Sequence, residues 1–274
     1  MLEWNKIYLG DCLDIMNDIS DKSIDCIICD LPFGTTASNW DKIIPMEELW
    51  KQYNRILTDI GTVVLFANGL FTPRVMLSNL KDYKYRWVWV KRNSTNFVHA
   101  KNRPLVLSED ILVFSKGSMG HISQLGTKRM VYNPQGLIPV NKIRKGGKSN
   151  FTGTLAGKRP SHKDEFLVEF TNYPTDVLTN FPELSPAKKI HTNEKPIELL
   201  EYLIKTYSNE DDLILDNCSG SGSLAVACQN TKRKFICIEK DKEYYEKSVD
   251  RLNTNRNKKS YFNEEEFYEN KKTD

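Results

Sequence analysis

The chain has 274 residues, of which 39% are hydrophobic and 27% charged, and its formal net charge is +3. This composition is typical of a soluble globular protein with one large core, and it excludes a low-complexity chain. No apolar run approaches the about 20 residues that span a bilayer. The N-terminus also lacks the basic and apolar regions of a signal peptide, so we expect a cytoplasmic protein that does not bind membranes.

The first half of the chain alternates predicted strands and helices. A short strand around Ile7 runs into a glycine turn with Asp11, which either lies at the strand's carboxyl end in a site or only caps the next helix. The other predicted elements are a strand over Ile24–Cys29, a helix over Leu49–Leu57, a strand over Gly61–Ala67, a helix over Pro73–Leu80 and strands over Arg86–Val90 and Asp110–Phe114. This alternation indicates a mostly parallel sheet covered on both faces.

The predicted strand that ends at Cys29 leads into the stretch Asp30-Leu31-Pro32-Phe33-Gly34. Proline and glycine indicate a sharp turn at the end of a buried strand. Open α/β sheets bind ligands at the carboxyl ends of their strands, so an acid and an aromatic ring would project together there. They could hold an amine between a carboxylate and a ring face. From this stretch alone, a carboxylate that caps the following helix is the more common explanation of Asp30.

The six cysteines and four histidines do not indicate a metal site. Cys26 and Cys29 have C-x-x-C spacing, but residues three apart on a strand point to opposite faces. We therefore interpret them as small buried hydrophobic residues.

A long basic stretch interrupts the alternation. From Lys116 to Lys163 the chain has ten lysines and arginines and no aspartate or glutamate. A solvated surface usually mixes both signs, whereas contacts with phosphates favour one sign because each contact releases condensed counterions. We predict a nucleic-acid-binding insertion, with a flexible basic surface loop as the alternative.

Regular patterning returns near Phe166. Lys195-Pro196 begins a helix. A strand is predicted over Leu213–Asp216, followed by a glycine turn, a helix and a second strand over Phe235–Glu239 that ends in an acid. The turn has Ala225 where the dinucleotide pattern has its third glycine, which disfavours a nicotinamide enzyme. A carboxylate before the turn suits a cationic methionine-like group better than a pyrophosphate. This unit therefore indicates S-adenosylmethionine, with Glu239 accepting hydrogen bonds from the ribose hydroxyls.

Five segments in a consistent order resemble the motifs of amino-group DNA methyltransferases of the β arrangement, in which the catalytic motif precedes the cofactor motif. They are Gly10–Leu13, Asp30–Phe33, Ser108–Phe114, His191–Leu200 and Asp216–Gly222. Leu31 and Phe33 depart from the family's Asp-Pro-Pro-Tyr tetrapeptide, and Asn193-Glu194 replaces Thr-Gln in the segment that closes over the cofactor.

The resemblance implies a doubly wound, mostly parallel seven-stranded methyltransferase sheet of the Rossmann-like type with an inserted basic target-recognition region. It predicts a catalytic half over residues 1–115, the insertion over 116–165, a cofactor-binding half over 166–253 and a charged tail over 254–274. The implied reaction is methyl transfer from S-adenosylmethionine to the N6 amine of adenine in double-stranded DNA, with base flipping. The alternatives are the N4 amine of cytosine and a non-catalytic nucleic-acid-binding subunit. A homodimer and a cognate restriction endonuclease are compatible with the family.

The resemblance also implies roles for individual residues. The catalytic residues are Asp30, Leu31, Pro32 and Phe33, of which the acid and a backbone carbonyl accept the amine's hydrogens and the ring stacks on the extruded base. The implied cofactor contacts are Asp11, Cys12, Asp30, Thr192, Lys195, Asp216, Asn217, Cys218, Ser219, Gly220, Gly222, Ser223, Glu239 and Lys240. The predicted DNA contacts are Lys128, Arg129, Lys142, Arg144, Lys145, Lys148, Lys158 and Arg159. For Lys195 the alternative is a solvated lysine in the first turn of the helix, and no metal is expected.

Overall fold

The computed structural model describes residues 2–36, 41–120, 125–145, 165–183 and 194–255. The chain divides into two compact units, a large one of residues 1–133 with 176–274 and a small one of residues 134–175. The small unit shares residues 134–165 with the predicted insertion, but its two ends differ from those of the prediction. In the described ranges, no helix is both long enough and apolar enough to cross a bilayer.

The described ranges contain ten strands. They are β1 Lys6–Leu9, β2 Ile24–Cys29, β3 Leu57–Ala67, β4 Tyr83–Thr95, β5 Val106–Ser115, β6 Ile138–Lys145, β7 Glu165–Thr171, β8 Val177–Leu178, β9 Leu213–Asp216 and β10 Lys234–Glu239. Eight of them form one sheet in the large unit, in the order β1-β10-β9-β2-β3-β5-β4-β8. Strand β5 is antiparallel to both of its neighbours, and the other pairs are parallel. The predicted mostly parallel sheet is confirmed, with the two-residue β8 in addition to the seven strands expected.

Helices cover both faces of this sheet. They are α1 Cys12–Met16, α2 Met46–Ile56, α3 Phe71–Ser78, α4 Ile197–Tyr207, α5 Ser223–Asn230 and α6, residues 242–255. One core lies under α1, α2 and α3, and the other under α4, α5 and α6. Because side chains of a strand alternate between faces, Cys26 packs in one core and Cys29 in the other, as their spacing predicts.

Helix α2 shows how the sequence sets these faces. Leu49, Tyr53 and Ile56 recur at helical spacing and are fully buried. Arg55 lies in the last turn, where a cation is favoured by the helix dipole, and its guanidinium donates to the Met16 and Ile19 carbonyls at 2.7 Å. Helix α2 is thereby joined to the segment that leads into β2.

The small unit contains the antiparallel pair β6–β7. All eight residues of β6 are exposed, and the register shifts between Pro139 and Lys142, where Asn141 has a φ of 43°. This strand buries none of its residues, and its hydrophobic periodicity in the sequence is correspondingly weak.

Candidate active site

Three acids lie where adjacent parallel strands end. Asp30 follows β2, Asp216 is the last residue of β9, and Glu239 is the last residue of β10. These strands are neighbours in the order β10-β9-β2 and run in the same direction. The sheet therefore brings together the two acidic motifs that the sequence separates by almost two hundred residues, at the edge where α/β sheets bind ligands.

Asp30 forms an ion pair with Lys195. The Lys195 Nζ lies 2.5 Å from the Asp30 Oδ2, whereas Oδ1 is buried and has no hydrogen-bond partner among the described residues. Burial raises the pKa of Asp30 from its ordinary value, and Lys195 opposes this shift. One oxygen of the carboxylate is thus held by the protein, and the other retains its acceptor capacity.

Lys195 is buried, with only 8% of its side chain exposed, so the alternative of a solvated lysine is wrong. It precedes α4, whose first residue follows the cap Pro196. Burial opposes the charged ammonium, but the carboxylates of Asp30 and Glu109 outweigh burial and raise the pKa of Lys195. The Lys195 Nζ also lies 4.9 Å from the centroid of the Phe66 ring.

The glycine turn after β9 is held by carboxylates. The Asp216 Oδ1 accepts the Cys218 N–H at 3.0 Å, and burial raises the pKa of Asp216 to about 7. The Glu239 Oε2 accepts the Gly220 N–H at 2.6 Å, and its Oε1 accepts the Asp241 N–H at 2.7 Å. Glu239, which the sequence suggests for a ribose, therefore also fixes the turn.

Gly222 is the residue at which this turn enters α5. Its φ is 73°, and a Cβ there would lie 2.9 Å from the Ser248 Cβ, so a larger residue would be strained and crowded. Ser223 follows, and its Oγ receives a hydrogen bond from Arg251 at 3.0 Å and donates to Glu194 at 3.3 Å. The turn and the segment that carries Lys195 are thereby joined through one hydroxyl.

Two residues from other parts of the chain, Tyr53 and Cys12, lie beside the glycine turn that follows β9. The Tyr53 hydroxyl on α2 donates to the Asn217 Oδ1 at 2.5 Å, and Cys218 packs against the core that contains Cys12 of α1. Ser219 is also buried. These contacts fix the turn from the α1 and α2 side of the sheet.

Asp11 caps α1 by accepting the Leu13 N–H at 2.9 Å, so the capping interpretation is confirmed. It also lies 2.8 Å from the Lys240 Nζ, which lowers the pKa of Asp11. Because β1 pairs with β10, this exposed ion pair lies beside the end of β10. Capping and a position at the strand end are compatible.

The residues after Asp30 form a compact turn. Leu31 is 2% exposed, and the Phe33 ring stacks on Phe71 with centroids 4.8 Å apart and an interplanar angle of 26°. Buried Asp41 accepts the backbone N–H groups of Gly34, Thr35 and Thr36 at 2.6–2.9 Å. Sequence reasoning missed Asp41, although an acid a few residues after a glycine turn is a common loop anchor.

The predicted DNA contacts are distributed over both units. Lys128 and Arg129 lie in the large unit, and Lys142, Arg144 and Lys145 are exposed on β6 of the small unit. Lys148, Lys158 and Arg159 lie outside the described residues, and so does Thr192, which is a predicted cofactor contact.

Sequence reasoning also missed three charged residues beyond Lys195. Glu109 lies 3.4 Å from the Lys195 Nζ, Lys91 is ion-paired with Glu109, and Glu183 lies 3.3 Å from the Lys91 Nζ. A signal was present, because Lys91 follows an aromatic strand and Glu109 interrupts another apolar strand. In the described ranges, no group of three or more His, Cys, Asp or Glu residues is arranged to hold a metal ion.

Residues 24–250 match the N6/N4 methyltransferase family model, which is described as DNA methylase. The chain belongs to this DNA methylase family. The family predicted from the sequence motifs is therefore confirmed, and the match includes both acidic motifs and the segment of Lys195.

Curated relatives support the same family over almost the whole chain. The type II methyltransferase M.HindIII of Haemophilus influenzae is 33% identical over 314 residues, which cover 94% of this chain and 98% of that protein. The type II methyltransferase M1.MboII of Moraxella bovis is 28% identical over 261 residues, which cover 89% of this chain and 95% of that protein.

Solved structures share the fold. The complex of M1.HpyAVI with S-adenosylmethionine has a TM-score of 0.60 and 22% identity, covering 90% of this chain and 98% of that one. The cytosine-N4-specific PvuII DNA methyltransferase has a TM-score of 0.59 and 16% identity, covering 89% of this chain and 84% of that one. The second structure makes clear that this fold by itself does not choose between the adenine and cytosine amines.

Proposed function

We propose that this DNA methylase transfers a methyl group from S-adenosylmethionine to the N6 amine of adenine in double-stranded DNA, after the base is flipped out of the duplex. The observation that carries the proposal is that Asp30 lies at the end of β2, next to the strand β9 that leads into the glycine turn. One oxygen of the Asp30 carboxylate has no hydrogen-bond partner among the described residues.

The residues at the sheet edge fit S-adenosylmethionine. This cofactor supplies a methyl group on a positively charged sulfur that leaves as a neutral thioether. Asp216 is a buried carboxylate with a pKa of about 7, and Glu239 is a second acid at the next strand end. An acidic set of this kind favours a cationic ligand and disfavours a pyrophosphate. Gly220 and Gly222, both with positive φ, allow a ligand to approach the backbone of the turn.

Asp30 supplies the acceptor that the target amine needs. The lone pair of an exocyclic amine is delocalised into the base, so the nitrogen is a poor nucleophile in the planar state. We assign one N–H to the Asp30 Oδ1 and the other to the backbone carbonyl of Leu31 or Pro32. These acceptors favour a pyramidal nitrogen and stabilise the positive charge that develops on it as it takes up the methyl group. The methylated nitrogen then releases one proton to water and becomes neutral. Alignment of the amine with the methyl group supplies further rate enhancement.

Phe33 is assigned to the flipped base. A base inside a duplex is out of reach, and extruding it costs a few kcal/mol. Stacking on an aromatic ring recovers about 1–3 kcal/mol per base. Phe71 packs against the Phe33 ring and holds it in place, and we assign the opposite face of the ring to the base.

Adenine is favoured over cytosine by the carboxylate at position 30, since in this family serine at that position goes more often with cytosine activity. The DNA backbone is assigned to the exposed cations of β6 with Lys128 and Arg129. The division into catalytic half, insertion, cofactor half and tail belongs to this proposal, as do a homodimer and a cognate restriction endonuclease.

The test is incubation of the protein with methyl-labelled S-adenosylmethionine and genomic DNA that carries no methylated bases, which offers every recognition sequence. Mass spectrometry of the digested nucleosides should show labelled N6-methyladenine. Labelled N4-methylcytosine without N6-methyladenine would establish the cytosine alternative. Tight DNA binding without any label would establish the non-catalytic subunit, and Asp30→Asn is the matched negative control.

A further inference from the structure

A continuous series of largely buried charges begins at Asp30 and runs across neighbouring strands of the sheet. Asp30 contacts Lys195 at 2.5 Å, Lys195 lies 3.4 Å from Glu109, Glu109 is ion-paired with Lys91, and Lys91 lies 3.3 Å from Glu183. The exposed fractions of these side chains lie between 8% and 23%. The signs alternate along the whole series, so each lysine has an acid on both sides.

The series follows the strand order of the sheet. Asp30 extends β2, the Phe66 ring that contacts Lys195 belongs to β3, Glu109 belongs to β5, and Lys91 belongs to β4. These four strands are consecutive in the sheet. The ammonium group of Lys195 therefore bridges from β2 across β3 to β5, and the position of Glu109 limits where that group can lie.

Such a series is costly as a purely structural device. Removing charges from water costs several kcal/mol per ion, and a buried ion pair is often no more stable than apolar residues of similar volume. The helices on this face offer an apolar core around it, with Leu199 and Leu203 buried on α4. The placement of the series against Asp30 supplies a reason for it, because a carboxylate that must accept an amine has to stay ionised and fixed.

The contacts of Asp30 divide its two oxygens between two tasks. Lys195 binds Oδ2, and Oδ1 is the atom without a partner among the described residues. A carboxylate held by one oxygen can rotate little, so the direction of the lone pairs on Oδ1 is set before the substrate arrives.

We propose that Lys195 and Glu109 are positioning residues for the methyl transfer. Lys195 fixes the Asp30 carboxylate through Oδ2 and keeps it ionised, and Glu109, held by Lys91, fixes Lys195. This inference rests on the proposed function, because it assigns Oδ1 to the target amine. It gives Lys195 a role towards the acid instead of the cofactor contact expected from the family motif.

The signs of the charges predict opposite effects for two substitutions. The charged groups that face Asp30 are Lys195, Glu109, Lys91 and Asp216. Lys195 lowers the pKa of Asp30 and Glu109 raises it. Lys195→Gln should therefore move the acidic limb of the kcat profile to higher pH, and Glu109→Gln should move it to lower pH. A side chain that only supports the fold would not move the limb in opposite directions.

The experiment measures kcat against pH for the whole protein, for Lys195→Gln, Lys195→Arg and Glu109→Gln, with Asp110→Asn as the matched control. Asp110 is the next residue on β5, points to the other face, and contacts Arg86 and Thr72. At neutral pH we expect about a tenfold loss of kcat for each unit by which the pKa of Asp30 in Lys195→Gln lies above 7, with recovery at higher pH. Lys195→Arg should restore the profile in part. Glu109→Gln should lower kcat on the plateau, and Asp110→Asn should leave profile and rate unchanged.

A second readout does not require activity. Carbon-13 NMR of the aspartate carboxyls, in protein without DNA or cofactor, follows the Asp30 titration directly, with Asp30→Asn identifying the signal. We expect the same opposite shifts there. If circular dichroism shows that Lys195→Gln does not fold, the NMR titration of Glu109→Gln and Lys195→Arg provides the test instead.

The two proposals fail differently. If the unsubstituted protein labels no DNA, the proposed function fails, whatever the NMR titration shows. If it labels DNA but the acidic limb and the Asp30 titration of Lys195→Gln and Glu109→Gln coincide with those of Asp110→Asn, the positioning role of Lys195 and Glu109 is overturned.

Discussion

The two units of the chain use charge in opposite ways. In the large unit, Lys195 and Glu109 are buried beside Asp30, and each cation contacts acids at fixed distances. In the small unit, Lys142 and Arg144 are exposed on a strand that buries none of its residues. Salt screens exposed charges much more than buried ones. Ionic strength should therefore change the attraction of DNA proposed for the small unit much more than the methyl transfer proposed for the large unit.

The difference shows what each arrangement can contribute. Exposed cations attract a polyanion from a distance and tolerate changes in position, because counterion release needs no fixed geometry. Buried charges cannot move without a large cost, so they orient a neighbouring group. The following substitutions test this division, beginning with the largest expected effect.

Asp30→Asn should lower kcat by about 10²–10³-fold, because the anionic acceptor for the target amine is lost. The affinity for S-adenosylmethionine, measured by calorimetry, should stay within a few-fold, and the loss of rate should not depend on salt. If cofactor affinity falls as much as kcat does, Asp30 is a cofactor residue and the role given to it here is wrong.

The site could be predicted from the sequence where chemistry is local. Asp30 and Asp216 each end an apolar strand, and a glycine turn follows Asp216, so both were found from neighbouring residues. Neighbouring residues mark Lys91 and Glu109 as unusual, but they do not indicate that these residues belong to the surroundings of Asp30. Lys91, Glu109 and Lys195 come from three separate segments, and only the strand order, which periodicity does not reveal, brings them together.

Prediction of the fold from local sequence patterns has the same limit. Strand β9 has its predicted bounds, because a short apolar run before an acid and a turn is unambiguous. Strand β6 has exposed apolar and basic residues and no buried face. Its sequence therefore has no alternation of hydrophobic and polar residues from which its pairing with β7 could be predicted. Strand β8 has two residues, which is too short for any periodic signal.

Arg251→Ala should lower the free energy of unfolding by about 3 kcal/mol, measured by urea denaturation. Its guanidinium lies 2.7 Å from the Oε1 of Glu194, whose side chain is 0% exposed, and the substitution removes this cation from a buried carboxylate. The double variant Arg251→Ala with Glu194→Gln should recover part of the loss because the buried charge is gone. Equal losses in the single and double variants would argue that packing, and not charge, stabilises this contact.

Asp216 should give cofactor binding a pH dependence. Its pKa is raised to about 7 by burial, so the carboxylate is largely protonated below that pH and ionised above it. A cationic ligand favours the ionised form, so affinity for S-adenosylmethionine should rise as the pH increases through about 7. Each unit by which the bound cation lowers this pKa corresponds to tenfold in affinity. Calorimetry should show a flat profile for Asp216→Asn, and a dependence that persists in that variant would assign it to another group.

The smallest expected effect belongs to the exposed cations of the small unit. Lys142 and Arg144 lie two apart on β6 and therefore share a face, so Lys142→Gln with Arg144→Gln removes two neighbouring charges. If both contact phosphates, the slope of log affinity for DNA against log salt should become shallower by about 2.

Lys247→Gln, which removes an exposed lysine of α6 that is paired with Glu243, is the control and should leave the slope unchanged. Cofactor affinity should be the same in all three proteins, because the charges of the small unit are screened and those at the sheet edge are buried. If the slope is the same in the double variant and the control, β6 is not part of the DNA interface. The cations of the large unit would then be the candidates for attracting DNA.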